Sequence, residues 1–266
     1  KAGTGEEIDK EMLGGADAQA DKNGIADLAV DSEAEALEAI RRFLSYLPSN
    51  CQEPLPVVET DDPVERMSEE LLDIVPANLR KPYDVREVIE VISDKGSVFE
   101  IKPTYATNIV TSFARLNGRP VGFIANQPMR MAGMLDAKAC EKSAHFIALC
   151  DAYGLPLVFL VDVPGFSIGS AAEKSGLGRR SGRVFYELSH ATVPRISIIL
   201  RKGYGAGYFA MAGGRSFNAD ACVAWPTAEI CAMSVEGAVD VAYRRDYEGA
   251  DDPVVRRQEL IDTFKG

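Results

Sequence analysis

The sequence has 266 residues, which corresponds to one large domain or two small ones at a typical domain size of about 150 residues. A net charge of −11 excludes a wide basic surface of the kind that binds nucleic acid or an anionic membrane. The longest apolar run, residues 155–161, is far shorter than the roughly 20 residues that span a bilayer, and residues 1–30 hold no secretory signal. We therefore expect a soluble protein with neither of these partners.

The cysteines indicate a reducing compartment, such as the cytoplasm. Their number is odd, no C-x-x-C pair is present, and the sequence has only two histidines that could assist them in binding a metal. We expect no disulfide framework and no metal site. The thiols are expected to serve mainly as small buried apolar groups at Cys51, Cys140, Cys150, Cys222 and Cys231.

The N-terminal part of the chain divides into a helix and a connector. Asp31 is a candidate N-cap for an amphipathic helix that ends near Pro48 and whose apolar positions recur at helical spacing, at Ala34, Leu37, Ile40 and Leu44. From Ser49 onward the sequence becomes rich in proline and acidic residues, which is typical of an exposed connector. A domain boundary is predicted here.

The next part predicts a helix, a hairpin and a second helix. Apolar residues from Val85 to Ile92 indicate a short amphipathic helix that ends at Gly96. Two apolar runs, 109–116 and 120–125, flank Asn117-Gly118, and both residues tolerate the positive φ that a tight hairpin turn requires. A longer helix then runs from about residue 137 to Gly154.

Two similar passages, 155–160 and 193–198, each predict a strand that begins at a proline. The helical pattern between them predicts a crossover helix, so the two strands are expected to be parallel and covered by helices. Further strands are expected at 221–225 and 228–233, with a helix after Ser234. The sequence therefore predicts an α/β protein in which ligands bind where the parallel strands end.

A glycine-rich loop, 203–207, is expected directly after the strand 196–200. Glycines let the backbone approach a ligand closely, and free amides at a helix N-terminus can bind an anion. Arg201 and Lys202 beside the loop could contact the same anionic ligand. The alternative is an ordinary tight turn between a strand and a helix.

Two other motifs predict different enzymes. Gly205, Gly207 and Ala210 match a dinucleotide-binding fingerprint, but Asp220 lies too early to be its acidic partner. Residues 165–169 match the G-x-S-x-G nucleophile elbow, but the only downstream histidine, His190, is expected at the far end of the next helix. His145 is expected to be packed or at the surface. No general base is evident, which favours a reaction in which backbone amides stabilise charge.

Several ordered blocks of the sequence carry a resemblance to a known family. These blocks are YATNIV at 105–110, GRPVG at 118–122, ANQP at 125–128, AGMLD at 132–136, DVPGF at 162–166, and ATVP at 191–194 followed by the glycine loop and AWPTA at 224–228. Together they resemble the carboxyltransferase (β) subunits of biotin-dependent acyl-CoA carboxylases of the propionyl-CoA and methylcrotonyl-CoA type. The resemblance assigns 1–48 to the tail of the family's N-terminal half, 49–80 to a linker and 81–266 to its C-terminal half.

The resemblance implies a crotonase-like fold, a superhelix of β-β-α units. In that family, carboxybiotin on a carrier protein supplies CO2 to the α carbon of an acyl-CoA, and no metal is expected in this chain. The backbone amides of Ala206 and Gly207 match the oxyanion hole on the biotin side. The same resemblance implies further substrate or biotin contacts, at Gly165, Phe166, Gly205, Tyr208 and Phe209.

The implied partners are a biotin carboxylase or biotin carboxyl carrier subunit, the acyl-CoA, and further copies of the chain in an assembly built from dimers, which we expect to be a hexamer. The implied location is the cytoplasm, or the mitochondrial matrix if the source is eukaryotic. The acyl group stays open, because Gly205-Ala206-Gly207 resembles the methylcrotonyl-CoA branch whereas Arg201-Lys202 resembles the propionyl-CoA branch. The alternatives are a biotin-independent crotonase-like hydrolase or isomerase acting on acyl-CoA, and an inactive scaffold.

Overall fold

A computed structural model describes residues 3–50, 52–214 and 219–265, which form a mixed sheet flanked by helices. The strands follow the order β1-β2-β3-β4-β5-β6, and β7 also pairs with β5. Pairing is antiparallel from β1 to β3 and parallel from β3 onward. The strands are β1 Phe99–Ile101, β2 Ile109–Leu116, β3 Arg119–Asn126, β4 Leu157–Val163, β5 Arg195–Tyr204, β6 Ala221–Ala224 and β7 Glu229–Cys231.

Helices cover both faces of this sheet, as the apolar sequence of β4 predicts, and all residues of β4 are buried. The helices are α1 Lys10–Gly14, α2 Glu33–Ser45, α3 Leu71–Ile74, α4 Val85–Ile92, α5 Ala137–Tyr153, α6 Ser170–Lys174, α7 Leu177–His190, α8 Gly205–Ala210, α9 Val235–Ala242, α10 Arg244–Glu248 and α11 Pro253–Lys265. Helices α5 and α7 bury one core, and α4 buries a second core on the opposite face. The predicted α/β class is confirmed.

The β2–β3 hairpin has the predicted turn. Asn117 and Gly118 both have positive φ, at 52° and 74°. Asp94, which follows α4, accepts hydrogen bonds from both of their amides, at 2.9 Å and 2.6 Å. The turn is thus fixed by local backbone preference and by a buried carboxylate.

Two predicted helix boundaries are wrong. Ser32, not Asp31, caps α2, because its hydroxyl accepts from the Glu35 amide while the Asp31 amide donates to the Glu35 carboxylate. Helix α4 ends at Ile92 rather than Gly96, because the chain leaves the helix at Ser93 to place Asp94 under the hairpin.

The expectation that the cysteines are mainly buried holds only in part. Cys140 and Cys150 are buried, and burial raises the pKa of the Cys140 thiol to about 12. Cys222 is exposed and Cys231 is half-buried, because β6 and β7 lie along the outer edge of the sheet. Cys51 lies outside the described residues.

Among the described residues of the predicted connector, 49–80, the short α3 is the only helix. The connector backbone contacts the hairpin turn, where the Val58 amide donates to the Gly118 carbonyl at 3.1 Å. The division of the chain into three segments remains a prediction. Within the described part of the chain, no helix combines the length and the hydrophobicity needed to span a bilayer.

We predict that Gly118→Ala lowers the free energy of unfolding by about 3 kcal/mol. Alanine is strained at the positive φ of this position, and its methyl group would also clash with a neighbouring backbone atom. A Cβ at Gly118 would overlap the carbonyl oxygen of Val58. The control is Gly96→Ala, since Gly96 has a similar φ of 71° but nothing within 4 Å of its Cβ position. This control should lose only about 1 kcal/mol. Equal losses in urea unfolding would contradict the role of the Val58 contact.

Candidate active site

Strand β5 runs directly into α8, and no loop residue separates them. The predicted strand 196–200 with a glycine loop at 203–207 is therefore wrong in its boundaries. Parallel pairing of Lys202, Gly203 and Tyr204 with β7 extends the strand to Tyr204. The glycine-rich segment is thus a strand-to-helix junction at the end of the parallel strands, where ligands bind in such sheets.

Two glycines at this junction allow close backbone contacts. Gly205 has a φ of 56°, and a Cβ there would lie 2.9 Å from the carbonyl oxygen of Ala232. A Cβ at Gly207 would lie 2.9 Å from the Cα of Gly165. The start of α8 is therefore pressed against the loop between β4 and α6, and this contact brings two of the predicted site residues together.

The amides of Ala206 and Gly207 lie in the first turn of α8, where backbone N–H groups have no partner within the helix. Among the described residues, neither amide donates to another element or to a side chain. Ala206 is exposed and Gly207 is buried. Five cavities among the described residues are lined by residues other than this pair. Ala206 thus reaches the surface of the described chain, whereas Gly207 is covered by its neighbours.

Aromatic side chains surround the junction. Tyr208 is buried, and a Cβ at Gly203 would lie 2.9 Å from its ring. Burial and then the thiol of Cys222, 3.8 Å from the Tyr208 hydroxyl, raise the pKa of Tyr208 to about 12. Phe209 is 37% exposed, with its ring centroid 5.6 Å from that of Tyr208. Phe166 is half-buried in the β4–α6 loop.

Arg201 and Lys202 are not available to an anionic ligand, so that expectation is wrong. Arg201 is 1% exposed, and its Nε donates to the Asp162 carboxylate at 2.8 Å. The Lys202 ammonium lies 3.3 Å from the same carboxylate. The carboxylate of Asp162 lies far from both residues in sequence, so no local pattern revealed this pairing.

A strained segment beside the junction was also not predicted. Met131 and Ala132 have positive φ values of 50° and 53°, which non-glycine residues rarely adopt. Gly133 follows with a φ of 80°, and a Cβ there would lie 2.5 Å from the carbonyl oxygen of Asp162. Leu135 then pairs with the β4–α6 loop at Phe166. Backbone strain of this kind is common at functional sites.

In the described structure, neither the nucleophile elbow nor the dinucleotide-binding fingerprint has the partner residue that its chemistry requires. His190 lies at the end of α7, where its Nδ1 lies 2.8 Å from the Tyr186 carbonyl oxygen, and within the described residues no hydrogen bond joins it to Ser167. Asp220 precedes β6 and accepts from the Arg195 amide at 2.8 Å, so it does not end a strand as the dinucleotide fingerprint requires. His145 is exposed on α5.

Comparison with known proteins identifies the family. A family described as "Carboxyl transferase domain" matches residues 1–264. The chain belongs to this family. It is 46% identical over 265 residues to the carboxyltransferase subunit of propionyl-CoA carboxylase from Haloferax mediterranei, covering 100% of this chain and 51% of that protein. It is also 46% identical to the methylmalonyl-CoA carboxyltransferase 12S subunit of Propionibacterium freudenreichii subsp. shermanii, covering 100% of this chain and 50% of that protein.

Solved structures of the family confirm the crotonase-like fold. The transcarboxylase 12S crystal structure with methylmalonyl-coenzyme A and methylmalonic acid bound has a TM-score of 0.93 at 44% identity, covering 100% of this chain and 51% of that chain. The β subunit of geranyl-CoA carboxylase from P. aeruginosa has a TM-score of 0.68 at 28% identity, covering 98% and 49%. The chain spans about half the length of these relatives and matches their C-terminal half.

We predict that Gly207→Ala lowers the free energy of unfolding by about 1–3 kcal/mol, because its methyl group would overlap the Gly165 backbone. The matched control is Gly182→Ala in α7, where nothing lies within 4 Å of the Cβ position. The control should be neutral or should stabilise the protein by up to about 1 kcal/mol. Thermal and urea unfolding measure both effects, and a neutral Gly207→Ala would rule out the close approach of α8 to Gly165.

Proposed function

We propose that this chain is the carboxyltransferase component of an acyl-CoA carboxylase, which moves CO2 from carboxybiotin to the α carbon of an acyl-CoA. The family membership supports this proposal, as do the relatives named for propionyl-CoA and methylmalonyl-CoA. The observation that carries it is the pair of amides, Ala206 and Gly207, without partners in α8 and at the ends of the parallel strands.

The junction suits a ligand that carries negative charge on a single oxygen. When bound, carboxybiotin would supply CO2 by cleavage of its carboxyl C–N bond, and the electron pair left on biotin would place negative charge on the ureido oxygen. Adjacent amides at the start of a helix can both donate to one such oxygen. Each donor of this kind typically stabilises the transition state by about 3 kcal/mol, which is roughly a hundredfold in rate.

The backbone is the main source of polar donors here. Tyr208 is buried, and its hydroxyl lies 3.8 Å from the Cys222 thiol. Arg201 and Lys202 are bound to Asp162. The protein's contribution is therefore to hold two amides in place, while Gly205, Phe166 and Phe209 shape the surface around them.

Because Ala206 is exposed in this chain, we propose that the opposite wall of the site and the thioester contacts come from the N-terminal half of a partner subunit. The assembly would be a homo-oligomer built from dimers, with a hexamer expected by analogy with the transcarboxylase 12S hexamer. It would work with a biotin carboxylase or biotin carboxyl carrier subunit, in the cytoplasm or the mitochondrial matrix. The acyl-CoA is propionyl-like or methylcrotonyl-like, and Phe209 contributes to its selection.

We predict that the assembled enzyme consumes acyl-CoA only when a carboxylated carrier or free carboxybiotin is present, because carboxybiotin must supply the CO2 and the described residues around Ala206 and Gly207 offer no general base. Turnover is measured with acetyl-, propionyl- and methylcrotonyl-CoA. Propionyl-CoA or methylcrotonyl-CoA should be preferred. Thioester turnover without biotin would instead indicate a crotonase-like hydrolase or isomerase, and no turnover with any of the three would indicate an inactive scaffold.

We predict that Ala206→Pro lowers kcat about a hundredfold, because proline removes one donor amide. Proline is tolerated in the first turn of a helix, and the exposed position of Ala206 leaves room for its ring. The control Ala206→Ser keeps the amide and should retain kcat within about twofold. Thermal unfolding shows that both variants are folded. A folded Ala206→Pro variant with full kcat would contradict the proposed role of this amide.

A further inference from the structure

The parallel pairing of β4 and β5 is interrupted just before the junction. Val161 pairs with Ile199, but Val163 pairs with Gly203, so Asp162 lies opposite the three residues Leu200, Arg201 and Lys202. This irregularity is a β-bulge in β5. A bulge bends its strand and redirects the residues that follow it. Here the residues that follow are Gly203, Tyr204 and the start of α8.

Asp162 satisfies the backbone that the bulge leaves unpaired. Its carboxylate accepts from the Lys202 amide at 3.2 Å, in place of a carbonyl of β4. The other carboxylate oxygen accepts from Arg201 Nε at 2.8 Å. Asp162 is 0% exposed and Arg201 is 1% exposed. Removal of the carboxylate would leave the buried Arg201 guanidinium without its counter-ion, which is strongly unfavourable.

Arg201 connects the bulge to the rest of the chain. Its Nη1 donates to the carbonyl oxygens of Asn78 and Lys81, at 2.9 Å and 2.8 Å. The guanidinium lies 4.8 Å from the ring centroid of Tyr83. The bulge is therefore anchored in two directions, to β4 through Asp162 and to the segment before α4 through Arg201.

Asp162 also precedes the β4–α6 loop, which packs against the start of α8. Its amide donates to the Asn126 side chain at 3.1 Å, and the chain continues from it into the loop that carries Gly165. Asp162 is thus linked to Gly165 through the chain and to the start of α8 through the hydrogen bonds of its carboxylate to β5. The two connected parts contact each other at Gly207 and Gly165. A shift at Asp162 would move both sides of this contact.

We propose that Asp162 is a positioning residue for the Ala206 and Gly207 amides, because its carboxylate fixes the bulge from which α8 begins. Asp162 acts through Arg201 and the Lys202 amide and does not contact substrate. The expected effect on turnover rests on the proposed function, whereas the expected effect on the backbone does not.

The test compares Asp162→Asn with Asp94→Asn in the full chain. Both substitutions remove one charge from a buried carboxylate that accepts a backbone amide, but Asp94 lies under the hairpin turn at the opposite end of β3. Amide hydrogen exchange is measured by mass spectrometry over residues 200–210 and 113–120. Asp162→Asn should speed exchange about tenfold or more in 200–210 only, and Asp94→Asn in 113–120 only.

The kinetic readout separates positioning from general destabilisation. In the assembled enzyme with its carboxylated carrier, Asp162→Asn should lower kcat about tenfold or more and leave the KM for acyl-CoA unchanged. Asp94→Asn should change neither value. Arg201→Lys is the second variant if Asp162→Asn fails to fold, since lysine keeps the buried charge paired but cannot reproduce the guanidinium geometry. It should also speed exchange in 200–210.

Unchanged exchange over 200–210 in a folded Asp162→Asn or Arg201→Lys variant would overturn the inference. Faster exchange there together with a lowered kcat supports it. Faster exchange with wild-type kcat also supports the positioning of α8 by Asp162, but it contradicts the proposed use of the amides in catalysis. The two proposals therefore fail under different results.

Discussion

The close contact between Gly207 and Gly165 is the constraint on which the rest of the site depends. A Cβ at Gly207 would lie 2.9 Å from the Gly165 Cα, so the start of α8 and the β4–α6 loop approach at a distance that only glycine permits. This contact holds the first turn of α8 at the ends of the parallel strands. The amides of that turn have no partner within the helix, because no helical turn precedes them. The site is therefore made by backbone geometry, with few functional side chains.

Much of the fold follows from local signals in the sequence. The Asn117-Gly118 turn, the left-handed Gly154 at the end of α5 and the apolar sequence of β4 each indicate their element locally, although Asp94 also holds the turn. The family resemblance, rather than a local signal, indicates the Ala206 and Gly207 pair, and its role remains a proposal. The structure adds that both residues lie in the first turn of α8, with Gly207 against Gly165.

The features that could not be predicted depend on contacts between distant parts of the chain. Strand β5 extends to Tyr204 because β7 pairs with it, and nothing near Tyr204 in sequence indicates that partner. Arg201 points into the core because Asp162 and the carbonyls before α4 receive it, whereas its position beside a glycine-rich segment indicated a ligand. The positive φ values at Met131 and Ala132 occur in a segment held by distant residues, since the Asn126 side chain donates to the Gly133 carbonyl and the Asn108 side chain to the Met134 carbonyl.

The most direct measurement of the central claim is the NMR response of the two amides to ligand. The chain, labelled with 15N at alanine and glycine, is titrated with carboxylated carrier within the assembled enzyme. The Ala206 and Gly207 amide protons should shift downfield as they donate to a charged oxygen, whereas Gly96 and Gly182 should not respond. Saturation of the enzyme without any shift at Ala206 or Gly207 would contradict the account.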